Sequence, residues 1–531
     1  MAQVLAMDAL AARFDEANHT GDYAGALESL AYSWAYLTPT HGGEVRALLD
    51  SLPPETWTTD PWFIAAYGST FRSIDSPGPI AGLPYFDAAE SAHTPHTPAA
   101  IRVGVALHHS AALRSIGRFR DAIDVARTAL TLSREDGTLQ LEWRISFDAK
   151  LCLQLGIAHY HLGEFDTALA HLQLAAGLAE KALFPSERLE CFAALAMLAY
   201  SMGDFGLASA HAQRAAEQAS GTPLLESCFG AGALIPELLI AVEQNRLDDA
   251  RALIPVVTRA SHSSDWQPLG CYAIAAVSII SEEYVDGLDA LRDCLQAYRG
   301  WPEPGAIVTM SEGLRATLLM RLSETDSAWD ILDSLAPTEH HANCPARFIA
   351  HLRFVTGDSR GALDALRECE ALGDTHSSRT LVDVQLIKAA ANLDFDNLGG
   401  SDVAFDRALS LAARNDMRIP FRLVPADVMS TLIERAEKRT QSVKVAEMLA
   451  HVTGSGPKVD DAPQLTDRER DIIRLAARDL AVTQIADELF ISTNTVKSHL
   501  RSVYRKLGVN SRREAKKRAR ELGLHVGPTF K

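Results

Sequence analysis

LQLGIAHYHLGEFDTALAHLQLAAGLA, residues 153–179, is the stretch on which the fold turns. Leu155 and Gly156 belong to a first helix, which Gly163 ends. Phe165 follows the turn, and Ala168, Leu172 and Ala175 recur at the spacing of one face of a second helix. Glycine suits the left-handed residue that closes a helix, and the small residue five positions later lets two helices approach. Outward from this unit the pattern repeats as GDYAGAL at Gly21, GRFRDAI at Gly117, GDFGLAS at Gly203, NRLDDAR at Asn245 and GDSRGAL at Gly357. Weaker copies are EEYVDGL near Glu282 and SETDSAW near Ser323. From Gly117 to Gly357 the intervals run from 34 to 46 residues. That period predicts an all-α, tetratricopeptide-like helical-repeat superhelix over residues 1–453. No strand-like alternation or βαβ order interrupts it. The gap from Gly21 to Gly117 exceeds one unit, and HTPHTPAA from His93 reads as a loop inside it.

The 531 residues are 47% hydrophobic and 22% charged, ordinary for folded protein but too many for one core. The apolar run WQPLGCYAIAAVSIIS, residues 266–281, is broken by Gln267 and Pro268, so buried helix is expected and no membrane span. No basic stretch precedes the first apolar residues, and the first cation is Arg13, so no secretory signal is expected. The seven cysteines form no CxxC pair, which fits a reducing cytoplasm without a disulfide framework. Charge divides the chain. Residues 463–531 hold 15 Lys+Arg and 8 Asp+Glu, a balance of +7, while the remainder carries −24. An acidic body repels DNA and a basic tail attracts it.

GSGPKVDDAP, residues 454–463, has the composition of a linker. Beyond it, residues 465–524 read LTDRERDIIRLAARDLAVTQIADELFISTNTVKSHLRSVYRKLGVNSRREAKKRARELGL. Thr466 with Glu469 three residues on predicts a capping box, and Ser492 or Thr493 caps a third helix. On that helix Val496, Leu500, Val503 and Leu507 form one apolar stripe. Asn494, Lys497, Ser498, Arg501 and Arg505 form a polar and basic one on another face. One face packed and one face basic is what insertion into the major groove of double-stranded DNA requires.

Leu465, Thr466, Arg468, Glu469, Ile485, Ala486, Ile491, Ser492, Thr495, Val496, Lys497, His499, Lys506, Leu507, Gly508 and Val509 stand in the order of a known pattern. On them, residues 464–531 resemble the four-helix DNA-binding domain of LuxR-type helix-turn-helix regulators. The resemblance implies that the TVKxH helix enters the major groove. Lys497, Ser498 and Arg501 would then face base edges, and Thr493, Thr495, Arg505 and Lys506 would lie near phosphates. It also implies pairing as a homodimer through a last helix at about 512–522, with Ala515, Ala519 and Leu522 on its apolar side. One departure stands out. The family's usual Gly-Leu-Ser-Asn-Lys-Glu-Ile-Ala run is here Asp-Leu-Ala-Val-Thr-Gln-Ile-Ala, residues 479–486, which removes a capping Ser and puts a phosphate contact in doubt. Repeats, MRIPFRLVP at 417–425, a linker and this domain resemble the C-terminal half of MalT-like regulators. Their nucleotide-binding module is not expected, since no GxxxxGK[ST] occurs, and a start in helix after helix speaks against an α/β receiver domain.

No catalytic motif is present, so no enzyme activity and no cofactor are expected. Glu339, His340, His341 and Cys344 are the only cluster of metal-ligand types, but no partner pair completes a site, and no metal is expected. His159 and His161 read as repeat-helix side chains. The functional reading is a transcription regulator whose repeats take a small molecule or partner protein and thereby control the tail. The alternative is a docking scaffold that its tail holds on DNA. Tyr160 and Tyr200, each three residues before a turn glycine, are candidate effector or partner contacts. Filling the interface between neighbouring hairpins is the other role open to them.

Overall fold

The fold was taken from a computed structural model. It describes residues 4–507, 509 and 515, except 77, 304, 323, 336–343, 368, 370–376, 440–442, 455–465, 478–479 and 490. Among the described residues every regular element is helical. Antiparallel helix pairs follow one another, and the unit read first is one of them, Leu141–Leu162 with Phe165–Gly177. Gly163 stands between them at φ 84°, and the Glu164 N–H reaches back to the His159 carbonyl at 2.9 Å. This bond over five residues satisfies an orphan carbonyl of the helix end. It recurs from Arg118 to Leu113, Asp204 to Ala199, Arg246 to Ala241 and Asp358 to Arg353, all between 2.8 and 3.0 Å. One closing bond thus repeats at the marked turns from Gly117 to Gly357, but not at Gly21, where the Asp22 N–H donates to the Thr20 hydroxyl at 3.4 Å. The weak copy near Ser323 makes it too, from Glu324 to Leu319 at 2.8 Å.

The small residue five positions past each turn packs as expected: Ala122, Ala168, Ala208, Ala250 and Ala362 are all buried. A Cβ on Gly156 would come within 2.6 Å of the Leu172 Cγ, so the two helices of that pair meet at a distance only glycine permits. A further pair, Ser378–Asp394 with Leu398–Asn415, turns at Asp396 with φ 53°. The sequence pattern passes over it because neither Gly nor Asn occupies the left-handed position. Past Tyr23–Ala31, the second helix of the Gly21 pair, the long gap holds three further α-helices, Trp34–Asp50, Pro61–Ser69 and Leu83–Ser91, before the loop at 92–98.

First and second helices differ. Residues 149–161 of the first helix Leu141–Leu162 are buried without a break, whereas Phe165–Gly177 buries only Phe165, Ala168, Leu172 and Ala175. An open concave face lined by first helices is therefore not what forms here. The array curls so that later segments cover them. The Ala306 N–H binds the His161 carbonyl at 3.1 Å, and the Ser378 hydroxyl binds that of Gly203 at 2.6 Å. The MRIPFRLVP segment makes a 3-10 turn, Ile419–Leu423, with Met417, Ile419 and Phe421 buried. Helices Ala426–Glu437 and Val443–Gly454 close the repeat region.

Candidate DNA-binding site

Among the described residues of the tail are three helices, Asp467–Ala477, Val482–Leu489 and Thr493–Lys506. The first starts with the expected capping box. The Thr466 N–H donates to Glu469 at 2.8 Å, and the Glu469 N–H to the Thr466 hydroxyl at 3.2 Å. The second starts at Ala481, whose N–H donates to the Gln484 side-chain carbonyl at 2.8 Å. Half a capping box thus survives where the cap serine is replaced. The Arg468 guanidinium closes the far end of that helix, donating to the Leu489 carbonyl at 2.6 Å. Ser492 caps the third helix, accepting from the Thr495 N–H at 3.0 Å.

The third helix buries Val496, Leu500, Val503 and Leu507 against Ile472, Ile473, Ile485 and Ala486. The predicted apolar stripe is the domain core. Ala515, expected on a pairing surface, is also buried in this core. The rest of the pairing helix, with Ala519 and Leu522, and the linker 455–463 lie outside the described residues.

Lys497, Arg501 and Arg505 are exposed on the opposite face, with no ion pair to a described residue. Ser498 is half-buried between Lys497 and Arg501 in height along the same face. Thr493 is exposed at the helix start, and the Thr495 hydroxyl lies 2.7 Å from that of Ser492. These groups and the helix N-terminus form one donor-rich surface suited to an anionic backbone. Lys506 departs from that surface. Its ammonium lies 2.6 Å from Glu469, inside the domain. Glu469 also accepts from the Ser502 hydroxyl at 2.7 Å. Burial alone would raise its pKa, but the bonds from Lys506, Ser502 and the Thr466 amide hold it below the usual carboxylate range. The Thr-x-x-Glu signal points to its capping role; its pairing with Lys506, 37 positions on, has no local signature.

The same face looks toward the repeat region. Ser498, Arg501 and Arg505 line a wide cleft together with Arg422, Asp427 and Glu437. His499, buried and pushed below its usual pKa by that burial, has its Nε2 3.7 Å from the Glu324 carboxylate.

Other sequence candidates fall elsewhere. Tyr160 and Tyr200 are in register but buried at 3% and 1% exposure, with their hydroxyls 3.2 Å from Ser201 and 3.5 Å from Glu243. Rings this enclosed fill the interface between hairpins, and the surface role expected of them does not match their placement. His161 stacks on Phe119 and lies 3.2 Å from Asp265, and His159 pairs with Glu164. Glu339, His340 and His341 lie outside the described residues, and no group of three metal-ligand side chains occurs among those described. Sequence reading missed a buried ionic network. Arg114, fully enclosed, pairs with Asp265 and with Glu190 at 2.6 Å, and Arg72 joins Glu190 at 2.5 Å. Burial would raise the pKa of Asp265, yet Arg114 holds it at about 2. These partners are 76 to 151 residues apart, so no window of sequence reveals them.

A capped helix with a packed stripe and a basic face, preceded by a short crossing helix, defines a helix-turn-helix DNA-binding protein. A family model described as bacterial regulatory proteins, luxR family, matches residues 463–519. The spore germination protein GerE of Bacillus subtilis is 45% identical over 53 residues, which cover 10% of this chain and 72% of GerE. The chain belongs to the LuxR family of bacterial regulatory proteins. The regulator MalT of Serratia proteamaculans is 38% identical over 71 residues, 13% of this chain and 8% of that protein. A structure of Rap protein complexed with competence and sporulation factor covers 78% of this chain and 99% of that chain at 11% identity, with a TM-score of 0.36, too low to carry an argument. The family match thus lies within the tail. No helix among the described residues is long and apolar enough to cross a membrane.

Proposed function

We propose that this LuxR-family DNA-binding transcription regulator recognises specific operators as a cytoplasmic homodimer, and that its repeat region, residues 1–453, takes an effector or partner protein that governs the tail, residues 464–531. The reading is carried by one observation: Lys497, Arg501 and Arg505 stand exposed and unpaired to described residues on a helix whose other face is core. Lys497, Ser498 and Arg501 take base edges, while Thr493, Thr495 and Arg505 take phosphates. Lys506 acts on phosphate only by leaving Glu469, so its first role is to hold the reading helix. Control is supported by the cleft that Ser498, Arg501 and Arg505 share with Asp427 and Glu437, which sets acidic groups of the repeat region near the reading face. The test is selectivity. Operators recovered by binding selection from the source genome should bind about a thousandfold tighter than random DNA. Equal affinity for both would favour a scaffold merely held on DNA.

A further inference from the structure

A cleft with about 70 Å³ of free volume lies between the N-terminal helices and the first full repeats. Its shape begins with Pro39. Proline within Trp34–Asp50 removes the N–H that would bind the Ala35 carbonyl, and His41 just beyond leaves helical geometry at φ −130°, ψ 33°. Ala35, Thr38 and Pro39 line the space so opened. Phe71, Phe86, Leu107 and Phe229 supply apolar walls.

The polar groups on this lining fall into two sets. The charged ones are already engaged: Arg72 with Glu190 at 2.5 Å, and Glu187 with Lys150 at 2.9 Å. Three neutral ones keep free capacity. Trp34 is wholly buried, and its indole N–H has no hydrogen-bond partner. Gln154 gives its carbonyl to Arg114 at 3.1 Å, while its amide NH2 donates to no described residue. His108 lies against Trp34 with ring centroids 4.6 Å apart, and neither of its nitrogens has a hydrogen-bond partner among the described residues. A buried N–H without an acceptor is unfavourable, so such a group favours whatever brings it one. Charge is balanced and donors are in surplus. That combination excludes an ion and selects an acceptor.

We infer that this cleft binds a neutral amphiphile, a flat apolar body bearing a carbonyl-type acceptor that takes the Trp34 indole N–H and the Gln154 amide. The inference rests on the reading of the repeat region as the effector-binding arm, and it assigns that role to Trp34, His108 and Gln154 instead of Tyr160 and Tyr200. Ala111 lines the cleft, so Ala111→Leu narrows it from the cavity side.

The test uses the full chain and three single-ring probes of one size: acetophenone, ethylbenzene and benzoate. Calorimetry should show the ketone binding about tenfold tighter than the hydrocarbon or the anion, as expected for one satisfied donor. Trp34→Phe, which keeps the ring and removes the N–H, should erase most of that preference. Ala111→Leu should abolish binding of the ketone while the melting temperature holds. If no probe binds saturably, if the hydrocarbon matches the ketone, or if Ala111→Leu leaves ketone binding intact, the inference is overturned. Adding operator DNA separates it from the regulatory reading. Ketone binding that leaves DNA affinity unchanged keeps the site and removes the control. A ketone effect on DNA affinity that survives Ala111→Leu keeps the control and removes the site.

Discussion

The repeat region and the tail both set arginines on apolar helices, and they treat them in opposite ways. In the repeats Arg114, Arg347 and Arg379 are buried and paired, with Glu190 and Asp265, with Asp383 at 2.6 Å, and with Glu243 at 2.7 Å. In the tail Lys497, Arg501 and Arg505 stand in solvent with no described counter-ion. A guanidinium fixed by two carboxylates inside a protein orders the chain but meets nothing outside. One that the fold leaves unmatched is available to a phosphate or a guanine edge. The net charges of −24 and +7 describe this division only coarsely. What separates structure from function is whether each cation has a partner within the chain.

Breaking the paired side should have the largest effect. Arg114→Ala removes the cation that Asp265 and Glu190 share, leaving Glu190 to Arg72 and Asp265 to His161 alone, and should cost about 3–5 kcal/mol of repeat-region stability. Calorimetric unfolding would show it, while the tail keeps its affinity for an operator fragment. Tyr160→Ala and Tyr200→Ala, which leave a cavity between hairpins, should each cost about 3–5 kcal/mol in the same assay, as large aromatic deletions do. An unchanged melting temperature for either would contradict its burial.

On the exposed side, Lys497→Ala or Arg501→Ala should cost about 1–3 kcal/mol at the cognate operator and less on random DNA, with no change in thermal unfolding. Equal losses on all sequences would mean phosphate contact only. Affinity of the full chain should also fall steeply between about 50 and 200 mM salt, since each phosphate neutralised releases counter-ions. Acid gives a smaller distinction. The Glu469 pKa is lower in the folded tail than in the unfolded chain, so its contribution is complete above the unfolded value and declines as pH falls through the folded one. Asp265 behaves likewise but only near pH 2. Helix signal from the tail should therefore weaken as pH falls below the usual carboxylate range, and a Glu469→Gln chain whose tail keeps the same acid profile would undo the assignment of Glu469.

The turns and the reading helix were legible because their determinants are local. Gly163 and its counterparts need only a left-handed residue and a small one five positions later. The capping pair Thr466 and Glu469 and the stripe Val496 to Leu507 likewise lie within single helices. What stayed hidden depends on distant residues meeting. Nothing near Tyr160 announces that residues around 266 and 306 will fold over its helix, so a ring in a regular pattern left the surface and interface roles both open. Arg72, Arg114, Glu190 and Asp265 look like ordinary surface charges until the array curls. Trp34 gives no hint of its unmatched N–H before Pro39 bends the helix beside it.

Glu469 joins two ends of the tail that are otherwise unconnected. One carboxylate holds the amide of Thr466, the first described residue after the linker, and also holds Ser502 and Lys506 in the last turns of the reading helix. The joint works as a clamp across the domain. A change at Glu469 would therefore loosen the start of the first tail helix and the end of the reading helix together.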